Sequence, residues 1–318
     1  MPSAFGINTV LGFAEEVTYG TGVSPTKFVD QVLEESFMLE RPFTSKPNLR
    51  SVSQIVRVQG KTTAKGGFKA MMGFNGLERI MKHALGSNAT TGAGPYTHTA
   101  SLSDALPVGL TFYVSRDVGV YDPWSYLGCQ ISKLTIRQAV EEIAEIEVEV
   151  VAKNGVTVAE SAPTYATFQQ VDWTFNSAVT FSVLGFGVAV RDFEFTVENA
   201  LNTDRYDIGT TTIRGLGRSG PRKISGKFSF EVEDNQLVDA YHAQVSSGTP
   251  ETLTLAWSNG LASTSLRSLT VVAKVVFTKF EFNTKDAGPI IANCEFECYA
   301  TASNNELTIA TVNNTSTI

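Results

Sequence analysis

The chain has 318 residues, of which 42% are hydrophobic and 18% are charged, so it has the composition of a globular protein with enough apolar mass for a buried core. Its length favours two domains, because single cores rarely grow much beyond about 250 residues. A formal net charge of -7 and a pI of about 5.1 argue against a protein that binds nucleic acid stably, since such proteins usually carry a basic face.

Secretion and membrane insertion are also disfavoured. Residues 1–6 contain neither the basic nor the apolar part of a secretion signal. The longest apolar stretch, 178–190, is too short for a membrane helix and is interrupted by Gly185 and Gly187. We therefore expect a chain that is made and used in soluble form.

The first half of the chain begins with an N-terminal arm, residues 1–30, which contains a glycine-rich turn at 19–22. A β-rich segment at 32–39 leads into a polar loop at 41–59 and then into a strand that ends near Met72. In the helix that follows, Asn75 is the expected N-cap, Glu78 completes a capping box, and Gly86 ends the helix. The apolar stripe of this helix consists of Leu77, Ile80, Met81, Ala84 and Leu85. Alternating strands at 131–136 and 144–152 complete a first domain, 31–154.

The second half follows a linker, 155–167, that is rich in small residues. It repeats the order of elements in a second domain, 168–302: a β-rich segment at 190–197, a loop at 199–214, a strand ending near Val232, a helix, and strands at 277–282 and 292–300. The helix has Asp234 as expected N-cap, a stripe of Leu237, Val238 and Tyr241, and Gly248 beyond its end. The C-terminal tail, 303–318, is mostly Asn and Thr and is expected to be loose unless a neighbour orders it.

The matching order predicts an internal duplication. The strand at 131–136 aligns with 277–282 at an offset of 146, and the strand at 144–152 aligns with 292–300 at an offset of 148. Each half also contains a glycine followed by a basic residue, at 60–61 and at 217–218. The predicted fold is mainly β, with two tandem sandwich or half-barrel units that each carry one flanking helix.

Motifs for catalysis or cofactor binding are weak. The sequence GLGRSG at 215–220 matches a dinucleotide fingerprint, but the segment after it alternates like a strand, whereas the fingerprint requires a helix. His83 and His242 lie on the predicted helices, His98 lies in a predicted turn, and no metal motif includes them. Cys294 and Cys298 are four residues apart in a strand, which is too far for a disulfide, and Cys129 leaves an odd count. We expect no enzyme activity, no cofactor and no metal.

Two strands present an acidic face. Glu145, Glu147 and Glu149 alternate with apolar residues, and so do Glu295 and Glu297. One interpretation is a solvated sheet face on which Lys133, Arg137 and Lys279 of adjacent strands pair with the glutamates. The other is the wall of a water-filled channel through which a polyanion slides, because an acidic wall avoids contacts that would hold phosphates.

The chain resembles siphophage tail tube proteins. The resemblance is carried by GFAEEVTYGT at 12–21, by the β segment through LEES at 33–36, and by the helix LERIM at 77–81 with its Leu85–Gly86 end. The family implies a sandwich-like fold shared with contractile-tail tubes and type VI secretion rings. It also implies a structural virion protein, made in the host bacterial cytoplasm, whose rings stack into a hollow conduit for DNA ejection.

The resemblance gives further expectations about assembly. Six domain positions in a ring would be filled by three duplicated chains, and the five glutamates become candidates for the lumen wall. The loops at 41–59 and 199–214 would stack the rings, with the following candidate residues: Arg41, Lys46, Asn48, Arg50, Arg57, Asn202, Asp204, Arg205 and Arg214. Expected partners are other copies of the chain, a tape-measure protein, tail tip and terminator proteins, and double-stranded DNA in transit without stable binding; no membrane is involved.

Two alternatives remain open from the sequence. A tail terminator or baseplate ring would have the same fold but would not polymerise. A carbohydrate-binding β-sandwich would use aromatic residues such as Trp124, Trp173 and Trp257 as a sugar platform.

Overall fold

The computed structural model describes residues 8–45, 57–73, 76–117, 121–161, 178–183, 186–233, 235–283, 288–316 and 318. In the first half the elements are β1 (Val10–Glu15), β2 (Lys27–Val29), β3 (Val32–Glu35), β4 (Met38–Glu40), β5 (Phe43–Ser45), β6 (Arg57–Gln59), β7 (Thr63–Met71), α1 (Glu78–Leu85), β8 (Gly86–Thr91), β9 (Tyr96–Leu102), β10 (Leu110–Asp117), β11 (Tyr121–Ala139), β12 (Glu145–Ala152) and β13 (Asn154–Thr157). In the second half they are β14 (Ala178–Val183), β15 (Phe186–Gly187), β16 (Val190–Glu198), β17 (Leu201–Asn202), β18 (Gly217–Arg218), β19 (Lys223–Glu231), α2 (Gln236–Ser247), β20 (Glu251–Ser258), β21 (Ser268–Asn283), β22 (Ile291–Cys298) and β23 (Leu307–Asn313). The predicted mainly-β class is confirmed.

One antiparallel sheet runs through both halves. Its order is β3 and β4, β7, β12, β11, β16, β19, β22 and β21. The pairing of β11 with β16 joins the halves, so that the first four positions and the last four positions form a single surface. We call this the polar-faced sheet, because one of its faces is charged.

A second layer packs against the apolar side of the polar-faced sheet. In the first half it consists of β2, β1, β10, the N-terminal part of β11, and β13. In the second half it consists of β14, β20, the N-terminal part of β21, and β23, and it continues through β9 and β8 of the first half. β11 and β21 are long enough to belong to both layers, which is why each half closes as a half-barrel.

Aromatic side chains fill the space between the layers. In the first half Phe37 lies 5.2 Å from Phe112 between ring centroids and 5.1 Å from Tyr126. In the second half Phe181 and Phe228 are 4.8 Å apart. Burial of such side chains stabilises the fold by about 1.5–3 kcal/mol each, so the two clusters anchor their halves.

The strand ladders of the two halves correspond residue by residue. A β-bulge interrupts β11–β12 between Ile131 and Lys133, and β21–β22 has its bulge between Phe277 and Lys279, an offset of 146. A second bulge interrupts β3–β7 between Val32 and Glu34, and β16–β19 has its bulge between Val190 and Asp192, an offset of 158.

The predicted alignment of β12 with β22 at an offset of 148 is therefore wrong by two residues. The bounds Glu145–Ala152 and Ile291–Cys298 and the matching bulges all give an offset of 146. A shift of two residues leaves the in–out alternation of a strand unchanged, so the hydrophobic pattern alone does not detect it.

Both predicted helices form, with different starts. The stripe of α1 is buried as predicted, and Gly86 ends the helix with a positive φ of 117°. The helix begins at Glu78 with Leu77 as N-cap, while Asn75 lies outside the described residues. The Glu78 carboxylate accepts a hydrogen bond from the Gly76 amide at 2.8 Å. A residue of the first helical turn therefore caps a backbone amide at the N-terminus of α1. In α2 the N-cap is Asn235, Asp234 is outside the described residues, and Gly248 ends the helix as predicted.

The expectation of a loose C-terminal tail is wrong for 307–313. These residues form β23, which lies between β9 of the first half and β21 of the second. Leu307, Ile309 and Asn313 of this strand are fully buried. The buried side chains alternate along the strand, at Leu307, Ile309, Thr311 and Asn313, and the high Thr and Asn content concealed this pattern.

The predicted N-terminal arm and linker both contain strands. In the arm, β1 is a buried strand that pairs with β10. The linker begins within β13, and its residues 162–167 lie outside the described residues. His98 lies in β9, not in a turn. Cys129, Cys294 and Cys298 are free thiols, as predicted. Neither helix of the described residues is long and apolar enough to span a membrane.

Candidate functional site

The polar-faced sheet carries charged side chains on one face and core side chains on the other. On β12 Ile146, Val148 and Val150 are buried, while Glu147 and Glu149 are exposed. The strand register extends this face across the sheet. Its acidic residues are Glu34, Glu40, Glu145, Glu147, Glu149, Asp192, Glu194, Glu198, Glu231, Glu281, Glu295 and Glu297. Its basic residues are Lys65, Lys69, Lys133, Arg137, Lys223, Lys227 and Lys279.

Charge alternates from strand to strand across this face. β3 and β4, β12, β16 and β22 are acidic, while β7, β11, β19 and β21 carry the basic residues. Glu231 at the end of β19 and Glu281 on β21 are the exceptions. Opposite charges on neighbouring strands favour this order of pairing over alternatives that would bring like charges together.

Ion pairs bind most of the basic groups to neighbouring acids. Lys223 lies 3.0 Å from Glu297, and Lys227 lies 3.1 Å from Glu194. Lys133 lies 3.6 Å from Glu149, and Lys279 is the same distance from Glu295. Since acidic residues outnumber basic ones, the face keeps an excess of negative charge after this pairing.

Glu145 is the most strongly held of the predicted lumen residues. Lys69 Nζ lies 2.9 Å from its carboxylate and Arg137 Nη2 lies 2.7 Å from it. Partial burial acts to raise the pKa of Glu145, but the hydrogen bonds from Lys69 and Arg137 outweigh burial, and the pKa is lowered. The pKa of Glu297 is also lowered, chiefly by its hydrogen bond to Lys223 and then by Tyr299.

The structure brings all five predicted glutamates onto one face and confirms the cross-strand pairs with Lys133, Arg137 and Lys279. The charged face also includes β7, β16 and β19, which the sequence analysis did not assign to it. Their alternation was visible in the sequence, but each strand's neighbours depend on pairing between distant segments. Whether this face lines a lumen remains a prediction.

Both edges of the polar-faced sheet end in a strand with one side open. Among the described residues, β3 and β4 pair on one side only, with β7. The C-terminal part of β21, from Phe277 onward, likewise pairs only with β22 within the described ranges. Open edges are templates for strand addition, so these are candidate interfaces.

A buried polar cluster locks the junction between the halves. Asn199 donates hydrogen bonds from Nδ2 to the carbonyls of Ala84 and Ile131, both at 2.9 Å. Its Oδ1 accepts a hydrogen bond from Arg222 Nε at 2.8 Å, and Arg222 also donates to the Leu85 carbonyl. The cluster therefore places the positive charge of Arg222 at the C-terminus of α1, where the unpaired carbonyls of the helix favour a cation. Burial lowers the pKa of Arg222 to about 10.

The first loop predicted to stack rings contains two short paired strands. β5 pairs with β6, and these strands expose the apolar side chains of Phe43 and Val58. Arg41 donates a hydrogen bond to the Gly155 carbonyl at 3.2 Å, and Arg57 lies in β6 opposite Ser45. Lys46, Asn48 and Arg50 lie outside the described residues.

The second loop is folded against the first half. Asp204 forms an ion pair with Lys61, and Tyr206 donates a hydrogen bond to the Thr62 carbonyl at 2.9 Å. Within the loop, Asn202 accepts a hydrogen bond from the Asp204 amide, and the Arg214 amide donates to the Arg205 carbonyl. The loop leaves Ile208 fully exposed at its tip.

The remaining motifs have structural positions. Gly217 and Arg218 of the glycine-rich segment form β18, and the chain continues into β19 rather than into a helix. In the described part of the chain, no group of three or more His, Cys, Asp or Glu residues could hold a metal ion. Trp257 is fully buried, Trp124 is partly buried, and Trp173 lies outside the described residues.

Comparison with known proteins agrees with this architecture. A search of curated proteins returns no match to the chain. A family model described as phage tail tube protein matches residues 6–298, nearly the whole chain. The chain therefore belongs to the phage tail tube protein family and is a structural component of the virion.

Proposed function

We propose that the chain is the major tail tube subunit, and that three copies close into a ring whose stacked repeats form the conduit for DNA ejection. The observation that carries this proposal is the polar-faced sheet, an eight-position surface with a charged face and an open strand at each edge. Ring closure would pair both edges and remove the hazard of uncontrolled strand addition.

Three copies per ring follow if each half fills one of six equivalent positions. We infer that the halves arose by duplication, and the matched bulges support this, because bulges are specific local features rather than general properties of strands. Gly66 and Gly226 add support. Each occupies the same ladder position, and a Cβ atom would collide with Phe37 at the first and with Phe296 at the second.

We place the charged face on the lumen side. Basic side chains that are ion-paired to neighbouring glutamates are poor ligands for phosphate, and the unpaired acidic excess repels it. Such a wall would let DNA slide without being held. The paired strands β5 and β6, which expose Phe43 and Val58, are the stronger candidate for contact with the next ring, since the second loop is already folded against Lys61 and Thr62.

Charge reversal on the face tests the lumen assignment. Tubes assembled from a Glu147→Lys, Glu149→Lys, Glu295→Lys variant should retain double-stranded DNA in a co-sedimentation assay, and the retention should weaken steeply with salt. Wild-type tubes should release the DNA. Glu160→Lys is the matched control, because this exposed residue follows β13 in the other layer. Intact triple-variant tubes that behave like the control would place the lumen elsewhere.

The two alternatives are less well supported. A terminator or baseplate ring would use the same edges but would lack a stacking contact. A sugar platform that includes Trp257 is disfavoured by its complete burial.

A further inference from the structure

The junction between the two halves provides a template for an interface that lies outside a single chain. In that junction β11 pairs with β16 in the register Lys133 with Glu198, Thr135 with Thr196, and Ile136 with Phe195. The ladder offsets of 146 and 158 map each position of β11 onto β21 and each position of β16 onto β3 and β4. In the described residues no strand pairs with the outer side of either mapped strand, although at Phe37 the amide donates to Glu35 at 3.2 Å and the carbonyl accepts from Arg116 at 2.9 Å, contacts that a neighbouring strand would replace.

We infer that β21 of one copy pairs antiparallel with β3 and β4 of the next copy, with Lys279 opposite Glu40, Phe280 opposite Leu39, Glu281 opposite Met38, and Phe282 opposite Phe37. This inference rests on the proposed ring and specifies its interface. The partner is a second copy of the chain, joined head to tail, so that each copy uses one edge of each kind.

Charge complementarity supports this register. Lys133 and Glu198 form an opposite-charge pair across the internal junction, and the mapped positions again place a lysine opposite a glutamate. The new contact also continues the alternation of acidic and basic strands, because basic β21 meets acidic β3 and β4. A register shifted by one residue would place core side chains against the charged face.

Exposure of apolar side chains supports the same contact. Ile136 is 1% exposed because β16 lies beside it, whereas its counterpart Phe282 is 48% exposed. On the other edge Met38 is 41% exposed, while its counterpart Thr196 is buried at 8%. A neighbouring strand in the inferred register covers both positions, and Phe282 then lies next to the buried ring of Phe37.

Disulfide cross-linking measures this register directly. In the internal junction the hydroxyls of Thr135 and Thr196 are 3.2 Å apart, so cysteines at the equivalent positions, Glu281→Cys and Met38→Cys, should be close enough to bond. Mild oxidation of the assembled double variant should give covalent dimers and trimers on a non-reducing gel. The variant Thr135→Cys, Thr196→Cys should give an intramolecular bond without a change in oligomer size.

Mixing the single variants tests the head-to-tail arrangement. A mixture of Glu281→Cys and Met38→Cys chains should stop at covalent dimers, and neither variant alone should cross-link more than the wild-type chain. The pair Glu281→Cys with Ser36→Cys, shifted by two residues on the same face, should cross-link several-fold less. Faster cross-linking by this shifted pair would overturn the register.

A charge swap gives an independent readout that requires no new thiol. Lys279→Glu should weaken assembly, as measured by sedimentation velocity, and Glu40→Lys in the same chain should restore it. Rings or tubes that form without the inferred cross-link and without charge rescue would overturn this interface while leaving the tube function intact. A chain that remains monomeric in every variant, with no cross-link, would contradict both.

Discussion

At the scale of single residues, a cluster of ionisable groups outside the charged face, buried His83 with half-buried Glu15 and Lys82, joins β1 to α1 in the first half. Glu15 accepts hydrogen bonds from His83 Nε2 at 2.9 Å and from Lys82 Nζ at 2.7 Å. The hydrogen bond from His83 is the largest influence, and together with Lys82 it outweighs partial burial and lowers the pKa of Glu15 to about 2. Burial lowers the pKa of His83, so this side chain acts as an uncharged donor at neutral pH.

The Glu15 cluster predicts a specific acid sensitivity. Because the folded pKa of about 2 lies below the ordinary value of 4.5, the carboxylate contributes stability that is present above pH 4.5 and is lost as the pH falls towards 2. Glu15→Gln should lower the free energy of unfolding by about 1–2 kcal/mol at pH 7, and its loss of stability between pH 4.5 and pH 2 should be smaller than that of the wild-type protein. Urea unfolding across this range, with Glu160→Gln as control, measures the difference; equal acid slopes would refute the assignment.

Asn199 gives a second prediction for a single residue. Asn199→Ala removes two donors to carbonyls and the acceptor for Arg222, all in a buried site, so it should destabilise the chain by about 2–3 kcal/mol. Asn202→Ala, at a partly exposed site in the same segment, should cost less than about 1 kcal/mol. Thermal unfolding compares the two, and similar costs would mean that the buried cluster does not lock the junction.

At the scale of secondary-structure elements, β23 links the two halves. It pairs with β9 on one side and with β21 on the other. Its terminal Asn313 lies in a buried hydrogen-bond network with Glu78 and His98. Burial raises the pKa of Glu78, which makes this residue dependent on its polar partners.

Deletion of 307–318 should therefore cause misfolding or insolubility, because it opens two strand edges and removes buried apolar side chains. The matched control is deletion of 316–318, which follow the strand; it removes the hydrogen bond from Arg79 to the Ile318 carbonyl and should lower the melting temperature far less than the long deletion. Circular dichroism melting and soluble yield report the result. A long deletion that melts like the control would show that β23 is dispensable.

Some elements could be predicted from the sequence alone and others could not. The helical stripe from Leu77 to Leu85 and the alternation of Glu145 to Val150 are local patterns, and these elements were predicted correctly. The position of β23 between the halves and the neighbours of β7 and β19 depend on contacts between distant segments, which local patterns do not specify. The two-residue error in aligning β12 with β22 has a related origin, because a shift by two residues leaves the alternation of inward and outward side chains unchanged.

At the scale of the whole molecule, the chain presents half-barrel units joined by one continuous sheet. The charged face, the open edges and the exposed strands β5 and β6 each point to a contact or environment that the single chain lacks. A closed and stacked ring would satisfy all three, and the junction of β11 with β16 indicates how one copy joins the next.

The most direct test of this account is electron microscopy of the purified protein at high concentration and moderate salt, with rotational averaging of end-on views. The account predicts long hollow tubes whose averages show three-fold or pseudo-six-fold symmetry. Closed rings that never stack, or filaments without a central channel, would contradict it.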